Sequence, residues 1–213
     1  MGYESPMPVQ EEVIPFLLGD DNDVIALAQT GTGKTAAFGL PILQKIDVTT
    51  YHPQALVLCP TRELCLQIAD DLNDYSKYID NLKVLPVYGG SSIESQIKTL
   101  KRGVHVVVAT PGRLLDLMNR KTVDLSLVKN VIMDEADEML NMGFTDSINA
   151  ILAEVPENRN MLLFSATMPK EIANITKKYM KNPKEIVIGN KNEGNKNIRD
   201  IYYICLLYTS DAA

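Results

Sequence analysis

The chain has 213 residues, of which 46% are hydrophobic and 23% are charged. These fractions are those of an ordinary globular domain and exclude intrinsic disorder, while a net charge of −6 argues against a protein that coats nucleic acid through bulk positive charge. No stretch approaches about 18 consecutive apolar residues, so the sequence predicts no membrane span. Three cysteines without metal-ligand spacing, Cys59, Cys65 and Cys205, predict reduced thiols in a cytoplasmic protein.

Short apolar segments alternate with helical stretches along the chain. The predicted strands are Val24–Ala28, Ala55–Cys59, Lys83–Val87, His105–Ala109, Val131–Asp134, Met161–Phe164 and Glu185–Ile188. The predicted helices cover residues 34–46, 62–78, 92–101, 111–120, 144–154 and 169–180. Pro41 lies inside the first of these helices and should bend it or end it early. Continuous apolar strands joined by helices predict an α/β fold with a mostly parallel central sheet and helices on both faces.

The composition changes sharply after the last predicted strand. Residues 1–188 are therefore predicted to form one domain. Residues 189–200, GNKNEGNKNIRD, are rich in Asn and Gly and predict a linker. A new apolar run, IYYICLL, begins at Ile201, so residues 201–213 are predicted to begin a second unit.

The first predicted strand runs into the sequence AQTGTGKT at residues 28–35, and a predicted helix follows. This is the spacing of a phosphate-binding loop, with Ala28 where the general pattern has Gly. Lys34 can reach the β- and γ-phosphates of a nucleotide, and the Thr35 hydroxyl can bind Mg²⁺. A turn before an ordinary helix is the simpler alternative, and the strand–loop–helix order disfavours it. The residues predicted to cradle the phosphates are Ala28, Gln29, Thr30, Gly31, Thr32, Gly33, Lys34 and Thr35.

An acidic pair lies at the end of the fifth predicted strand, with Asp134 as its last residue and Glu135 directly after it. Asp134 lies where a carboxylate can hold Mg²⁺ opposite a phosphate loop. Glu135 beside it can accept a proton from an attacking water. The alternative is an ordinary helix start enriched in acidic residues, and the phosphate loop makes that alternative less favourable. Lys34, Asp134 and Glu135 are thus the predicted catalytic residues, and Thr35 and Asp134 the predicted metal ligands.

The stretch Asp134-Glu135-Ala136-Asp137, with the phosphate loop, resembles the first RecA-like lobe of the DEAD-box ATP-dependent RNA helicases. Other motifs of that family occur in the family order from residue 2 to about residue 206. They are Gly2-Tyr3, Pro6 and Val9-Gln10 of the Q motif, PTREL at 60–64, Gly89-Gly90, TPGR at 110–113 and SAT at 165–167. The order of the motifs, rather than any single residue, carries the resemblance.

The resemblance implies a role for each motif. Gln10 would pair bidentately with adenine, so that ATP is the nucleotide. Asp137, Ser165 and Thr167 would link the γ-phosphate site to the RNA side. RNA would be held through its sugar-phosphate chain and without sequence preference. The RNA-binding residues that the resemblance implies are Pro60, Thr61, Arg62, Gly89, Gly90, Thr110, Pro111, Gly112 and Arg113.

The resemblance also implies a second RecA-like lobe whose arginines stabilise the transferring phosphate. The run IRDIYYICLL resembles the opening of that lobe, whereas YTSDAA at residues 208–213 does not continue it, which leaves a non-native tail as an open alternative. The parent protein would couple ATP hydrolysis to local RNA unwinding or ribonucleoprotein remodelling, and these 213 residues alone would be inactive. A stand-alone nucleotide- and RNA-binding module without turnover is the alternative. An unrelated phosphate-loop ATPase is disfavoured by PTREL, TPGR and SAT.

Overall fold

A computed structural model of the chain describes residues 4–19 and 22–188. The strands in these ranges are β1 (Val24–Leu27), β2 (Ala55–Leu58), β3 (Val84–Val87), β4 (Val106–Ala109), β5 (Asn130–Met133), β6 (Asn160–Ser165) and β7 (Lys184–Val187). The helices are α1 (Pro8–Gly19), α2 (Lys34–Gln44), α3 (Arg62–Tyr75), α4 (Ile93–Lys101), α5 (Pro111–Asn119), α6 (Ala136–Asn141), α7 (Thr145–Glu154) and α8 (Lys170–Tyr179).

The seven strands form one sheet in the order β3-β4-β2-β5-β6-β1-β7, and every neighbouring pair is parallel. Because the strands are parallel, the residues that follow them all lie at one end of the sheet, which we call the carboxyl end. The residues that precede them lie at the opposite, amino end. This arrangement brings loops that are far apart in sequence into one row, where parallel α/β sheets place their ligands.

Hydrophobic side chains from both faces of the sheet are buried against helices. Along β2, Leu56 and Leu58 belong to one apolar cluster and Val57 to the other, as the alternation of a strand requires. Residues of α4, α5, α6, α7 and α8 pack in the first cluster, and residues of α1, α2 and α3 in the second. The predicted α/β fold, with a parallel sheet covered on both faces, is confirmed.

Two helices, α1 and α6, are absent from the sequence-based prediction. Pro8 begins α1 and Pro15 lies inside it, and these prolines obscure the four-residue spacing of the buried Val9, Val13 and Leu17. The helix α6 spans only six residues and is too short to show a period. The predicted bounds of the other elements agree with the structure within three residues.

The expectation for Pro41 is met only in part. The helix α2 continues through Pro41 and ends at Gln44, two residues before the predicted end. Pro41 is buried in the second half of this helix, where packing offsets the missing backbone N–H.

The predicted linker 189–200 and second unit 201–213 lie outside the described residues. None of the helices in the described ranges has both the length and the apolar character that crossing a bilayer requires.

Candidate functional site

The loop at residues 28–35 is closed by backbone and side-chain hydrogen bonds at the carboxyl end of the sheet. The Ala28 N–H donates to the Ser165 carbonyl at 3.0 Å, so the loop starts from a fixed contact with β6. The Thr32 hydroxyl donates to the Gln29 carbonyl at 2.8 Å and closes the turn. Gly33 has a φ of 80° and ends the loop directly before α2. The N-terminus of α2 therefore opens onto the loop, as an anion site requires.

Gln10 is buried and contacts the loop from the side of α1. Its Oε1 accepts a hydrogen bond from the Met7 N–H at 2.9 Å, and its Nε2 donates to the Gly33 carbonyl at 3.2 Å. A Cβ on residue 33 would lie 2.5 Å from that Nε2 and 2.8 Å from the Met7 Sδ. Glycine is therefore favoured at residue 33 by its left-handed backbone, and a Cβ there would displace the end of the Gln10 side chain.

Lys34 and Asp134 form a buried ion pair beneath the loop. The Lys34 Nζ lies 3.7 Å from the Asp134 Oδ1 and 3.4 Å from the Ala28 carbonyl. Asp134 directly follows β5 and is only 2% exposed. Burial raises the pKa of its carboxyl group, and the Lys34 cation opposes that rise. The structure thus places a lysine and a carboxylate together at the loop 28–35, as the sequence predicts.

Glu135 adopts a left-handed backbone conformation, with φ 50° and ψ 51°. This conformation costs about 1–2 kcal/mol in a residue other than glycine. The Asp134 Oδ1 accepts a hydrogen bond from the Glu135 N–H at 3.0 Å and supports it. Partial burial, and next the negative charge of Asp134, raise the pKa of the Glu135 carboxyl group. A raised pKa makes this carboxylate a stronger proton acceptor.

A set of hydrogen bonds joins α6 to the segment after β6. The Asp137 N–H donates to the buried Ser165 Oγ at 3.3 Å. The Asp137 Oδ2 accepts from both the Thr167 N–H and the Thr167 hydroxyl, at 2.9 and 2.8 Å. The structure therefore brings the three predicted coupling residues into direct contact.

Arg62, Tyr88 and Gly90 lie together on the other half of the carboxyl end. The Arg62 guanidinium lies 5.0 Å from the centre of the Tyr88 ring, within the range of a cation–π contact. A Cβ on Gly90 would lie 3.5 Å from the Arg62 Nη1. Thr61 caps α3 by accepting a hydrogen bond from the Leu64 N–H at 3.2 Å, which fixes the start of the helix that carries Arg62.

Arg113 on α5 holds the turn that contains Gly89 and Gly90. Its Nη1 and Nη2 donate to the Ser91 carbonyl at 3.2 and 3.3 Å. The same Nη1 donates to the Oε1 of Gln96 at 3.0 Å. Two of the predicted RNA elements, the double glycine and TPGR, are therefore joined within the protein. Pro111 begins α5, and Phe144 lies near Gly112, where a Cβ would meet its ring at 3.8 Å.

The strand order separates the two sets of predicted residues. The strands β3, β4 and β2 are neighbours and lead into Gly89-Gly90, TPGR and PTREL. The strands β5, β6 and β1 are also neighbours and lead into Asp134, SAT and the phosphate loop. The pairing of β2 with β5 joins the two halves, and the Asp134 N–H donates to the Leu58 carbonyl at 2.9 Å across it.

Tyr88 and Gln96 are absent from the predicted RNA-binding residues, although both contact them in the structure. Gln96 lies on the face of α4 that also carries Ile93, Ile97 and Leu100, and these apolar residues pack against the core. A glutamine within an apolar helical stripe is the signal that could have found it. No comparable sequence signal distinguishes Tyr88 from an ordinary strand-end tyrosine.

Comparison with known proteins gives consistent matches over most of the chain. The family model described as DEAD/DEAH box helicase matches residues 7–175. The ATP-dependent RNA helicase DeaD of Mycobacterium tuberculosis is 52% identical over 202 residues, which cover 95% of this chain and 36% of that protein. The protein of the same name from Escherichia coli is 47% identical over 203 residues, which cover 95% of this chain and 32% of that protein.

Solved structures agree with this comparison. The crystal structure of a DEAD box protein from the hyperthermophile Methanococcus jannaschii superposes with a TM-score of 0.83 and 46% identity, covering 87% of this chain and 50% of that one. The chain spans about a third of the length of the curated relatives that it matches.

Proposed function

Since the chain belongs to the DEAD/DEAH box helicase family, we propose that it is the ATP-binding and RNA-binding lobe of an RNA helicase. The full-length protein would couple ATP hydrolysis to local unwinding of RNA duplexes or to remodelling of ribonucleoprotein complexes. The observation that carries the proposal is the ion pair of Lys34 and Asp134, 3.7 Å apart below the loop 28–35. The free thiols of Cys59 and Cys65 fit a cytoplasmic protein.

The nucleotide would lie on the loop 28–35 with its phosphates toward the N-terminus of α2. Lys34 already lies at the loop through its contact with the Ala28 carbonyl, so a small movement brings its ammonium group to the phosphates. Gln10 would turn its amide from Met7 and Gly33 toward adenine, which offers one donor and one acceptor to such an amide. Gln10 is thereby the residue that favours ATP over GTP.

Mg²⁺ fits the donors at this site. The Thr35 hydroxyl and the Asp134 carboxylate are oxygen ligands, which this ion prefers, and Mg²⁺ usually binds few protein groups together with phosphate oxygens. Burial destabilises the negative charge of Asp134 in the free protein, so a second cation beside Lys34 would stabilise the ionised carboxylate. When bound, the ion would neutralise charge on the β- and γ-phosphates. Thr35 and Asp134 would hold it.

Glu135 is the proposed acceptor of a proton from the attacking water. Its raised pKa suits that role, and it lies directly after the buried Asp134 at the carboxyl end of β5. In the full-length helicase, Glu135→Gln is expected to keep ATP binding and to lose turnover by a factor of at least about 100. Steady-state phosphate release measures the loss, and an unchanged rate would place the base elsewhere.

The surface at the ends of β2, β3 and β4 is the proposed RNA site. It offers the Arg62 guanidinium, the exposed double glycine 89–90 and the N-terminus of α5 at Thr110 and Pro111. Backbone N–H groups and arginines contact phosphates without reading the bases, so binding would be independent of sequence. The bonds of Asp137 with Ser165 and Thr167 would transmit a change at the γ-phosphate toward this surface.

The second lobe of the full-length helicase is the proposed partner in hydrolysis. An arginine from that lobe would stabilise the charge of the transferring phosphate, an effect of about 10³–10⁵ in rate. These 213 residues alone are therefore expected to bind ATP weakly and to show no RNA-stimulated hydrolysis. Robust RNA-dependent turnover by the chain alone, measured by steady-state phosphate release, would contradict the two-lobe proposal.

Calorimetry with ATP and Mg²⁺ tests the nucleotide site directly. Lys34→Ala is expected to weaken ATP binding about 100-fold, because it removes the buried ammonium group that would pair with the phosphates of ATP. Lys98→Ala is the matched control, since Lys98 is an exposed lysine on α4 and far along the chain from the loop. Equal affinity of the two variants would refute the assignment of the loop.

A further inference from the structure

Gln96 occupies a buried position beside the turn that contains Gly89 and Gly90. We propose that Gln96 is a positioning residue that builds this turn into an RNA-binding shape before RNA arrives. The inference rests on the proposed function, because it takes the surface at the ends of β2, β3 and β4 as the RNA site. It adds a residue that none of the predicted motifs contains.

The Gln96 side chain connects both ends of the turn to α5. It is 6% exposed, and its Nε2 donates to the Tyr88 carbonyl at 3.1 Å and to the Ser91 Oγ at 2.7 Å. Tyr88 and Ser91 directly flank the two glycines. Its Oε1 accepts from the Arg113 Nη1 at 3.0 Å. One amide therefore fixes the residue before the turn, the residue after it and the arginine of TPGR.

The chemistry of these contacts selects glutamine. The Nε2 has two protons for two acceptors, and the Oε1 meets a cationic donor, so the amide matches its surroundings in both directions. Glutamate would satisfy Arg113 but would place an acceptor against the Tyr88 carbonyl. Methionine would fill the same volume and supply none of the three hydrogen bonds. A buried polar group of this kind is costly to leave without partners, and here both N–H protons and the carbonyl oxygen of the amide have a partner.

The turn needs such support because it is formed by two exposed glycines. Gly90 has a φ of 79°, and an unsupported pair of glycines samples many other conformations. Fixing them during folding removes that ordering cost from RNA binding. The Arg62 guanidinium contacts the Tyr88 ring and lies near Gly90, so the same support also sets the position of this arginine.

The test is an NMR titration of the ¹⁵N-labelled 213-residue chain with a single-stranded RNA of six uridines at low ionic strength. The Gly89 and Gly90 amide signals report on the turn and give the affinity even when binding is weak. Gln96→Met is expected to broaden or shift these signals in the free protein and to weaken RNA binding about tenfold. ATP affinity, measured by calorimetry, is expected to stay unchanged, which a general loss of structure would not allow.

Gln67→Met on α3 is the matched control, because Gln67 is an exposed glutamine and the chemical change is identical. It is expected to bind RNA and ATP as the native chain does. If Gln96→Met fails to fold, Gln96→Glu keeps the shape and the acceptor for Arg113, and the same tenfold loss is expected from the two missing donations.

The possible outcomes separate the inference from the proposed function. Native affinity in a folded Gln96→Met or Gln96→Glu chain overturns the inference and leaves the RNA site standing. If RNA leaves the Gly89 and Gly90 signals of the native chain unchanged, the proposed RNA site fails and the inference fails with it. A double-mutant cycle compares the chain carrying both Gln96→Met and Arg113→Met with the chain carrying Arg113→Met alone. Equal RNA affinity of these two chains would show that Gln96 and Arg113 act as one unit, which supports the inference.

Discussion

The two ends of the parallel sheet hold their buried polar groups in different ways. At the amino end, Asp23, Gln54 and His105 are buried and bonded to backbone groups of neighbouring segments. At the carboxyl end, Asp134 has a raised pKa and Glu135 a strained backbone. The polar groups named at the amino end thus stabilise the fold, whereas Asp134 and Glu135 at the carboxyl end are held in costly states that a ligand can relieve.

The amino end shows how one side chain can tie distant segments together. The Asp23 carboxylate accepts hydrogen bonds from the Met161 N–H at the start of β6 and from the Lys181 N–H before β7. Gln54 donates to the carbonyls of Asp47 and Thr50 and accepts from the Asp47 N–H. Substitutions here should change stability more than ligand binding, and the reverse should hold at the carboxyl end.

The largest effect on stability is expected from Asp23→Ala. It leaves two backbone N–H groups without their acceptor and should lower the free energy of unfolding by about 3 kcal/mol. Urea denaturation followed by circular dichroism measures the change. Asp80→Ala, at an exposed carboxylate, is the control and should stay within about 0.5 kcal/mol of the native chain. Equal effects of the two variants would remove the special role of Asp23.

Two glycines with similar positive φ angles, Gly103 and Gly33, allow a direct comparison of the two ends. Gly103 at the amino end has a φ of 87°, and a Cβ there would lie 2.6 Å from the Tyr51 Cβ and 2.9 Å from the Tyr51 carbonyl oxygen. Gly103→Ala should therefore cost about 2 kcal/mol of stability, since a backbone atom cannot move aside easily.

At Gly33 at the carboxyl end, with a φ of 80°, a Cβ would meet only side-chain atoms of Gln10 and Met7 and no backbone atom. Gly33→Ala should cost about 1 kcal/mol of stability from its backbone angle and should weaken ATP binding by displacing Gln10. Urea denaturation and calorimetry with ATP measure both variants. An unchanged ATP affinity in Gly33→Ala, or a weakened one in Gly103→Ala, would contradict the division between the ends.

His105 makes the stability of the amino end depend on pH. Its Nδ1 accepts a hydrogen bond from the Lys83 N–H at 3.0 Å, so the ring is neutral and its Nε2–H donates to the Val48 carbonyl at 3.2 Å. Burial, and further the Lys83 cation, lower the pKa of His105 below its ordinary value of 6.5, against the opposing effects of the Val48 carbonyl and Asp47. The Tyr51 ring packs beside it at 5.3 Å.

A lowered pKa means that the unfolded chain binds the proton more readily than the folded one. The stabilisation is therefore complete above pH 6.5 and is lost as the pH falls through the folded-state value. His105→Gln should flatten this part of the stability profile, and His52→Gln, at the exposed histidine, should leave it in place. Urea denaturation at a series of pH values measures the stability profile of each variant. Identical profiles for His105→Gln and His52→Gln would contradict the assignment of this pH dependence to His105.

The smallest effect is expected from Thr167→Val at the carboxyl end. The variant keeps the shape and the backbone hydrogen bond to Asp137 and removes only the hydroxyl donation. Because Thr167 is exposed, the free energy of unfolding should change by no more than about 0.5 kcal/mol. A loss above about 1.5 kcal/mol in urea denaturation would show that this end also stabilises the fold.

Most of the sheet could be predicted from the sequence because its strands are short apolar runs that end at chemically distinct loops. The helix α1 could not, because Pro15 inside it argues against a helix locally while Val9, Val13 and Leu17 stabilise it through tertiary packing. The motifs likewise predicted which loops lie together at the carboxyl end, since the carboxyl ends of parallel strands lie at one end of the sheet.

The contacts within the site could not be predicted in the same way. The left-handed conformation of Glu135 depends on the turn between β5 and α6, and nothing in the residue type indicates it. The sequence suggests Arg113 as a phosphate ligand, whereas the structure also engages it with Ser91 and Gln96. Such partners are set by three-dimensional packing between α4 and α5, which residue spacing alone does not encode.

The place of β1 in the sheet has a consequence for synthesis of the chain on the ribosome. This strand precedes the loop 28–35, yet its two neighbours are β6 and β7, and Val24 aligns with Leu162 and Lys184. A nascent chain therefore carries the phosphate loop long before the strands that flank it have been made. Pairings between segments so distant in sequence form late, so β1 takes its place in the sheet only after β6 and β7 have been synthesised.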